Sequence, residues 1–220
     1  MSKLTKAELD ALVKPVQAPR YEVDSAWVYL DTSVSEFAKG YGAVEMNPDF
    51  QRGHVWKSEQ QRHYIENAMR GVVPTSGMTI QFNCRNFDSL SRVAEDSDLP
   101  DGLQCIDGLQ RWTAVRGFLA GEVCPFGLSI EDLRGTDYDP KRMIYSRFRL
   151  AVFSFQYKLE VLDHYLALNA GGTPHSDAEL TRVRAMRDEL AREKAAKGKK
   201  SWTQQWTEVI REMPGTNLSL

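Results

Sequence analysis

Gln104-Cys105-Ile106-Asp107-Gly108-Leu109-Gln110-Arg111-Trp112 sets an acid, a glycine and an arginine where an apolar strand gives way to a helix. Leu103, Cys105 and Ile106 read as the end of a short buried strand. Leu109, Trp112, Val115, Phe118 and Leu119 then recur at helical spacing until Gly121 stops the run. The junction is expected at Asp107 and Gly108. Free N–H groups at a helix start attract anions, a glycine lets a phosphate approach the main chain, and Arg111 stands one turn in with a planar donor fork. Asp107 repels a bare phosphate, so its carboxylate makes chemical sense as a magnesium ligand or as the acceptor of a proton from an attacking hydroxyl. A plainer reading covers the same residues: Asp107 caps the helix and Arg111 pairs with a surface acid.

Two further segments carry polar turns. The first is Asn47-Pro48-Asp49-Phe50-Gln51-Arg52-Gly53-His54-Val55-Trp56, followed by a helix predicted from Ser58 to Arg70 with Ser58 and Gln61 placed as a capping box. The second is Leu168-Asn169-Ala170-Gly171-Gly172-Thr173-Pro174-His175-Ser176-Asp177-Ala178-Glu179-Leu180, a glycine turn leading into another helix. Within them Arg52 is the candidate for pairing with outer phosphates and stabilising charge on a transferring phosphoryl group. Asp49 is a candidate general base, or a turn aspartate after Pro48. Trp56 either stacks on a base or sugar or belongs to the core. Asn169, Gly171, Gly172 and Thr173 form a second candidate phosphate or magnesium loop, since adjacent glycines permit a nest of N–H groups. The same glycines also suit a plain helix end.

Taken in order, Gln51-Arg52 with Val55-Trp56, Ile106-Asp107-Gly108-Leu109-Gln110-Arg111, and Leu168-Asn169-Ala170-Gly171-Gly172-Thr173-Pro174 with Glu179-Leu180 resemble three hallmarks of one family. It is domain-of-unknown-function family 262, the N-terminal domain of GmrSD-type restriction proteins, which is similar to the ParB/sulfiredoxin superfamily. The resemblance covers residues 40–181. It implies an α+β fold, a compact ParB/sulfiredoxin-like domain with a small mixed sheet surrounded by helices, and a helical C-terminal extension. It also implies nucleotide chemistry: ATP or GTP with Mg2+, phosphates contacted by the Asp-Gly-x-x-Arg turn, and Gln51, Arg52, Trp56, Gly108, Gln110, Arg111, Asn169, Gly171, Gly172 and Thr173 around the nucleotide. Two positions depart from the family pattern. Leu109 replaces the first glutamine of the usual Asp-Gly-Gln-Gln-Arg turn, and His175 stands where the family has an apolar residue.

The chain has 220 residues, 42% hydrophobic and 26% charged, which is the composition of a water-soluble globular protein. No apolar run approaches the roughly 18 residues of a membrane span, and the N-terminus has no signal-peptide core, so a cytoplasmic protein without membrane contact is expected. Cys84, Cys105 and Cys124 lack metal-ligand spacing and are expected to be reduced. No Walker sequence, zinc-ligand cluster or His-Asn-His nuclease motif occurs, which argues against a P-loop NTPase and against a nuclease. The net charge of −2 excludes nucleic-acid binding by overall positive charge. Residues 182–200, however, hold eight basic against three acidic side chains. Arg182, Arg184 and Arg187 are therefore the candidate DNA contacts, or a solvated helix face.

Three parts are predicted: an N-terminal helical arm, 1–39, a nucleotide-binding domain, 40–181, and a basic helical extension, 182–220. The arm carries an amphipathic helix over residues 3–14 that either packs on the domain or mediates homodimer formation. Strands are predicted over 27–30, 78–83 and 148–155, and helices from Ser33 to about Gly40, over 160–168, and from about Ser176 to Lys197. Gly198 is expected to separate the last of these from a helix over 202–213, and residues 88–101 are expected to form a mobile acidic loop. Three functions fit these readings. The first is a kinase moving the terminal phosphate of a nucleoside triphosphate to a hydroxyl, the expected acceptor being a modified base in DNA. The second is a DNA-sensing NTPase that gates a separate nuclease, and the third a nucleotide-bound DNA clamp. The 40 or so residues after the third motif are too few for a nuclease domain, which favours the kinase.

Overall fold

Five strands, β1 (Tyr21–Ala26), β2 (Val44–Glu45), β3 (Thr79–Asn83), β4 (Leu103–Asp107) and β5 (Arg147–Phe153), form one mixed sheet in the order β1-β5-β3-β4-β2. The computed structural model describes residues 3–13, 15–51, 53, 55–87, 93–142, 144–169 and 177–212, with side chains as far as residue 196. β1 runs antiparallel to β5 and β3 antiparallel to β4, whereas β3 with β5 and β2 with β4 are parallel. Among the described residues seven α-helices accompany the sheet: α1 (Lys6–Val13), α2 (Leu30–Tyr41), α3 (Ser58–Met69), α4 (Leu109–Leu119), α5 (Ile130–Leu133), α6 (Lys158–Asn169) and α7 (Asp177–Glu212).

β5 shows how the sequence divides the interior. Phe148, Leu150 and Val152 enter one core, while the alternate residues Ala151 and Phe153 enter the other, as the two-residue period of a strand requires. The first core lies beneath α2, α3 and α4 and takes Leu30, Val34, Ile65, Ala68, Trp112, Val115 and Phe118. α6 and the first turns of α7 cover the second, with Val161, Leu162, Tyr165 and Val183. Each large apolar side chain buried in this way contributes about 1.5–3 kcal/mol relative to exposure.

Where the prediction and the fold differ, the cause is local. Trp27 to Leu30 is a helical turn leading into α2, because Trp27, Leu30 and Val34 share one face; the strand is the more polar Tyr21–Ala26, held at the sheet edge by β5. The boundary expected at 39/40 therefore falls inside α2, and residues from Tyr21 onward belong to the sheet domain. The boundary at 181/182 falls inside α7, which also continues through Gly198. One glycine costs a helix about 1 kcal/mol and does not end it. Lys57, not Ser58, caps α3, its N–H donating to Gln60 Oε1 at 3.0 Å. Residues 88–92 lie outside the described residues, but 93–101 are anchored rather than mobile. Ser97 Oγ donates to the Gln156 carbonyl at 2.5 Å, the Tyr157 hydroxyl donates to Asp96, and Leu99 is buried. α1 buries no residue and leaves Leu9, Leu12 and Val13 exposed.

β4 carries an irregularity that matters for the site. Phe82 faces Cys105, yet Gln81 faces Asp107, so one residue of β4 is bulged between them. Successive carbonyls of a regular strand point opposite ways. Here the carbonyls of Cys105 and Ile106 both accept from a single atom, Gln51 Nε2, at 3.1 and 2.6 Å.

Candidate functional site

The strand-to-helix turn after β4 holds the first elements of the site. Gly108 has φ +111°, and a Cβ there would lie 2.5 Å from Ile80 Cδ1 and 3.2 Å from the Ile80 Cα, so only glycine fits against β3. No side chain caps the first turn of α4, which leaves its N–H groups directed at the end of β4. Arg111 folds back from that turn, and its Nη2 lies 2.5 Å from Asp107 Oδ2. Nη1 donates to the Ser76 carbonyl at 3.4 Å, while Nε is buried without a partner. Both side chains are largely enclosed, 17% exposed for Arg111 and 35% for Asp107. The same enclosure, with the Asp107 charge, pushes the Cys105 thiol up to about 12.

The first motif closes over this turn. Gln110 accepts from the N–H groups of Val55 and Trp56 at 2.9 and 3.1 Å and donates to the Gly53 carbonyl at 2.6 Å. Gln51 caps the β4 carbonyls already described. The amides of these two glutamines are thus engaged with backbone, Gln51 with β4 and Gln110 with the loop of the first motif. Trp56 packs against the first core with its ring 5.5 Å from that of Tyr64. Asp49 meets Lys158 Nζ at 2.5 Å, at the start of α6. Arg52 lies outside the described residues.

Of the third motif, Leu168, Asn169, Glu179 and Leu180 are described. Asn169 Nδ2 donates to the Tyr165 carbonyl at 2.7 Å, closing the last turn of α6; Gly171, Gly172 and Thr173 lie outside the described residues. Glu179, buried at the start of α7, accepts from the Tyr165 hydroxyl at 2.9 Å, and the Tyr165 ring meets Phe50 of the first motif edge-on at 5.7 Å. Arg182 then donates to the carbonyls of Asp49 and Phe50 at 2.9 Å and of Gln51 at 3.3 Å. The first and second motifs therefore meet at the C-terminal end of β4, and Glu179 of the third reaches the first through Tyr165 and Phe50.

Of the three arginines expected to contact DNA, Arg182 is a strut to the first motif and Arg187 is bonded to Asp163 and Asp188 at 2.8 and 3.1 Å. Arg184 is exposed on α7. Lys158 meets Asp49, the Ser76 carbonyl meets Arg111, Gln81 pairs with Asp107 across the ladder and His164 meets Gln81; none of the four was singled out in the sequence. Their partners lie tens of residues away in the chain, so no local pattern marks them. Among the described residues no group of three or more His, Cys, Asp or Glu side chains is placed to hold a metal ion. Magnesium needs fewer, one or two carboxylates alongside substrate phosphates. Among the described residues no helix is long and apolar enough to cross a membrane. Comparison with protein-family models, with curated proteins and with solved structures finds no match to this chain.

Proposed function

We propose that the protein transfers the terminal phosphate of ATP or GTP to an acceptor hydroxyl at the Asp107–Arg111 turn, within a ParB/sulfiredoxin-like domain. The observation that carries this is the closure of the first motif over the Asp107–Arg111 turn, through Gln51 on the β4 carbonyls and Gln110 on the backbone of Gly53, Val55 and Trp56. Asp107 and Arg111 stand side by side, an arrangement complementary to a metal ion on a phosphate chain. Arg111 and the N–H groups of the first turn of α4 bind phosphate oxygens, and the unpartnered Arg111 Nε gives the guanidinium a further donor to satisfy. By resemblance Arg52 adds a second guanidinium. A magnesium ion held by Asp107 would neutralise charge on the phosphate chain as the bridging oxygen leaves.

In the transfer, the acceptor oxygen bonds to the terminal phosphorus and the bond to the nucleoside diphosphate breaks. Where Asp107 does not hold the metal it takes the hydroxyl proton, which otherwise passes to water; Asp49 is engaged by Lys158 and serves to hold that turn. We keep a modified base in DNA as the acceptor, on the strength of exposed Arg184 and the basic run towards Lys200. One contact favours a second reading, a DNA-sensing NTPase: Arg182 couples α7 directly to the first motif, so a shift of that turn on hydrolysis would reach a 36-residue helix.

Incubating the protein with γ-labelled ATP or GTP, magnesium and DNAs containing hydroxymethylated bases separates the two. Label on DNA is the expected result. Arg111→Ala should weaken nucleotide binding, whereas Asp107→Asn should bind and lose turnover by roughly three powers of ten. Label released only as free phosphate, with release stimulated by DNA, replaces the kinase by the sensor.

A further inference from the structure

β3 brings one more polar side chain to Asp107. Ile80 and Phe82 enter the first core, so Gln81 between them faces the opposite side of the sheet, the side covered by α6. The bulge in β4 makes Asp107 its partner in the ladder, and side chains paired across an antiparallel ladder lie on one face with Cβ atoms about 4.5–5.5 Å apart. Without the bulge Asp107 would fall on the other face.

His164 reaches the same glutamine from α6. Its Nε2 is 2.9 Å from Gln81 Oε1, and an amide oxygen only accepts, so the imidazole proton sits on Nε2. Nδ1 is left as a buried lone pair without a partner, although the residue is only 4% exposed. The rings of Phe153 and Phe155, with centroids 4.5 and 5.2 Å away, hold the imidazole from the side. An apolar residue would fill this place without an orphaned nitrogen. What histidine adds is the bond to Gln81. Burial also holds the His164 pKa below its ordinary value, against the pull of the Asp107 carboxylate, so the ring is neutral and within electrostatic reach of Asp107.

A side-chain amide has a donor end and an acceptor end. With Oε1 committed to His164, Gln81 Nε2 is the end left over; among the described residues it donates to no group, and it is not enclosed. We infer that Gln81 contacts the substrate, its amide nitrogen donating to a phosphate oxygen of the nucleotide at Asp107 and Arg111, and that His164 is the positioning residue that keeps this nitrogen turned to the phosphate. The inference rests on the phosphoryl-transfer reading. A flipped amide would present a carbonyl oxygen to an anion, and with the imidazole proton on Nε2 the bond to His164 favours the unflipped amide.

The test uses the full chain with Mg-ATP and Mg-GTP, calorimetry for binding and single-turnover transfer for chemistry. Gln81→Leu should lower transfer roughly 10- to 100-fold, the effect of one hydrogen bond to a charged group. Gln81→Glu, nearly isosteric and so a control for folding, should lose more than about 100-fold by setting a carboxylate against the phosphate. His164→Leu should melt no lower than wild type yet reproduce the Gln81→Leu loss. His164→Gln, which restores a donor, should recover most of the activity. The double variant Gln81→Leu/His164→Leu should be no worse than Gln81→Leu alone. Wild-type binding and transfer in Gln81→Leu and Gln81→Glu, or additive losses in the double variant, overturn the inference and leave the phosphoryl-transfer reading standing. A wild-type protein that binds neither nucleotide overturns both.

Discussion

Arg182→Ala tests the difference between a DNA contact and an internal strut. Its guanidinium donates to three successive carbonyls of the first motif, at 2.9, 2.9 and 3.3 Å. Hydrogen bonds from charged groups contribute roughly 1.5–3 kcal/mol when enclosed, but this side chain is exposed and the third contact is long, so the set is worth about 1–2 kcal/mol. For a chain of this size each kcal/mol moves the melting temperature by about 2–4 °C, and calorimetry should show a fall of about 2–8 °C. Because the Asp49–Gln51 turn also places Gln51 on the carbonyls of Cys105 and Ile106, nucleotide affinity should fall with it. Arg182→Lys should recover only part of both effects, since an ammonium cannot span three carbonyls as a planar fork does. Arg184→Ala, at an exposed position, should leave melting and nucleotide affinity unchanged while lowering the salt dependence of DNA binding by about one ion. An Arg182→Ala protein that melts within about 1 °C of wild type and loses only DNA binding would refute the strut.

Gly108→Ala should destabilise the fold by about 2–5 kcal/mol in urea titration, combining a left-handed φ with overpacking against Ile80; a loss under about 0.5 kcal/mol would mean that β3 yields freely. His164 gives a pH dependence of stability. Its folded pKa lies below the ordinary value of 6.5, so the unfolded chain holds more protons between the two; stability is fully present above about 6.5 and declines as pH falls, by at most about 1.4 kcal/mol per unit. His164→Leu should flatten this component below about pH 6.5, and an unchanged slope would assign it to other groups. In the native protein a thiol reagent should label half-buried Cys124 first, because burial pushes Cys84 and Cys105 up to about 11 and about 12; rapid labelling of Cys105 at neutral pH would contradict its place in β4.

What was legible in the sequence follows from the range of the interactions. The β4–α4 junction is written locally, as an apolar strand, a glycine and helical spacing, and it appears at Leu103–Asp107 and Leu109–Leu119. β1 was not legible, since Tyr21–Ala26 is mostly exposed and becomes a strand only by pairing with β5 more than a hundred residues later. Charge is equally ambiguous on its own. Arg182, Arg184 and Arg187 look alike in a basic run, and what separates them is a carbonyl cluster, open solvent and Asp163 respectively. Nothing near His164 marks it either, because its partner is Gln81 on another element.

The polar residues of the three motifs divide into two kinds by their contacts. Gln51, Gln110, Asn169 and Glu179 are bonded to backbone or to Tyr165, so they fix the relative positions of β4, the first motif and α6. Asp107 and Arg111 bond mainly to each other, at a turn whose helix start has no cap. A pair of opposite charges on adjoining elements gains little by itself at partial exposure. Its position is nevertheless determined from four directions: the bulge turns Asp107, Gly108 brings α4 against β3, Gln51 holds the β4 edge, and Gln110 draws the first motif over the turn. So much support around a pair of small intrinsic worth is what the proposed phosphoryl-transfer site would require, since its charges would have to meet a substrate in one geometry.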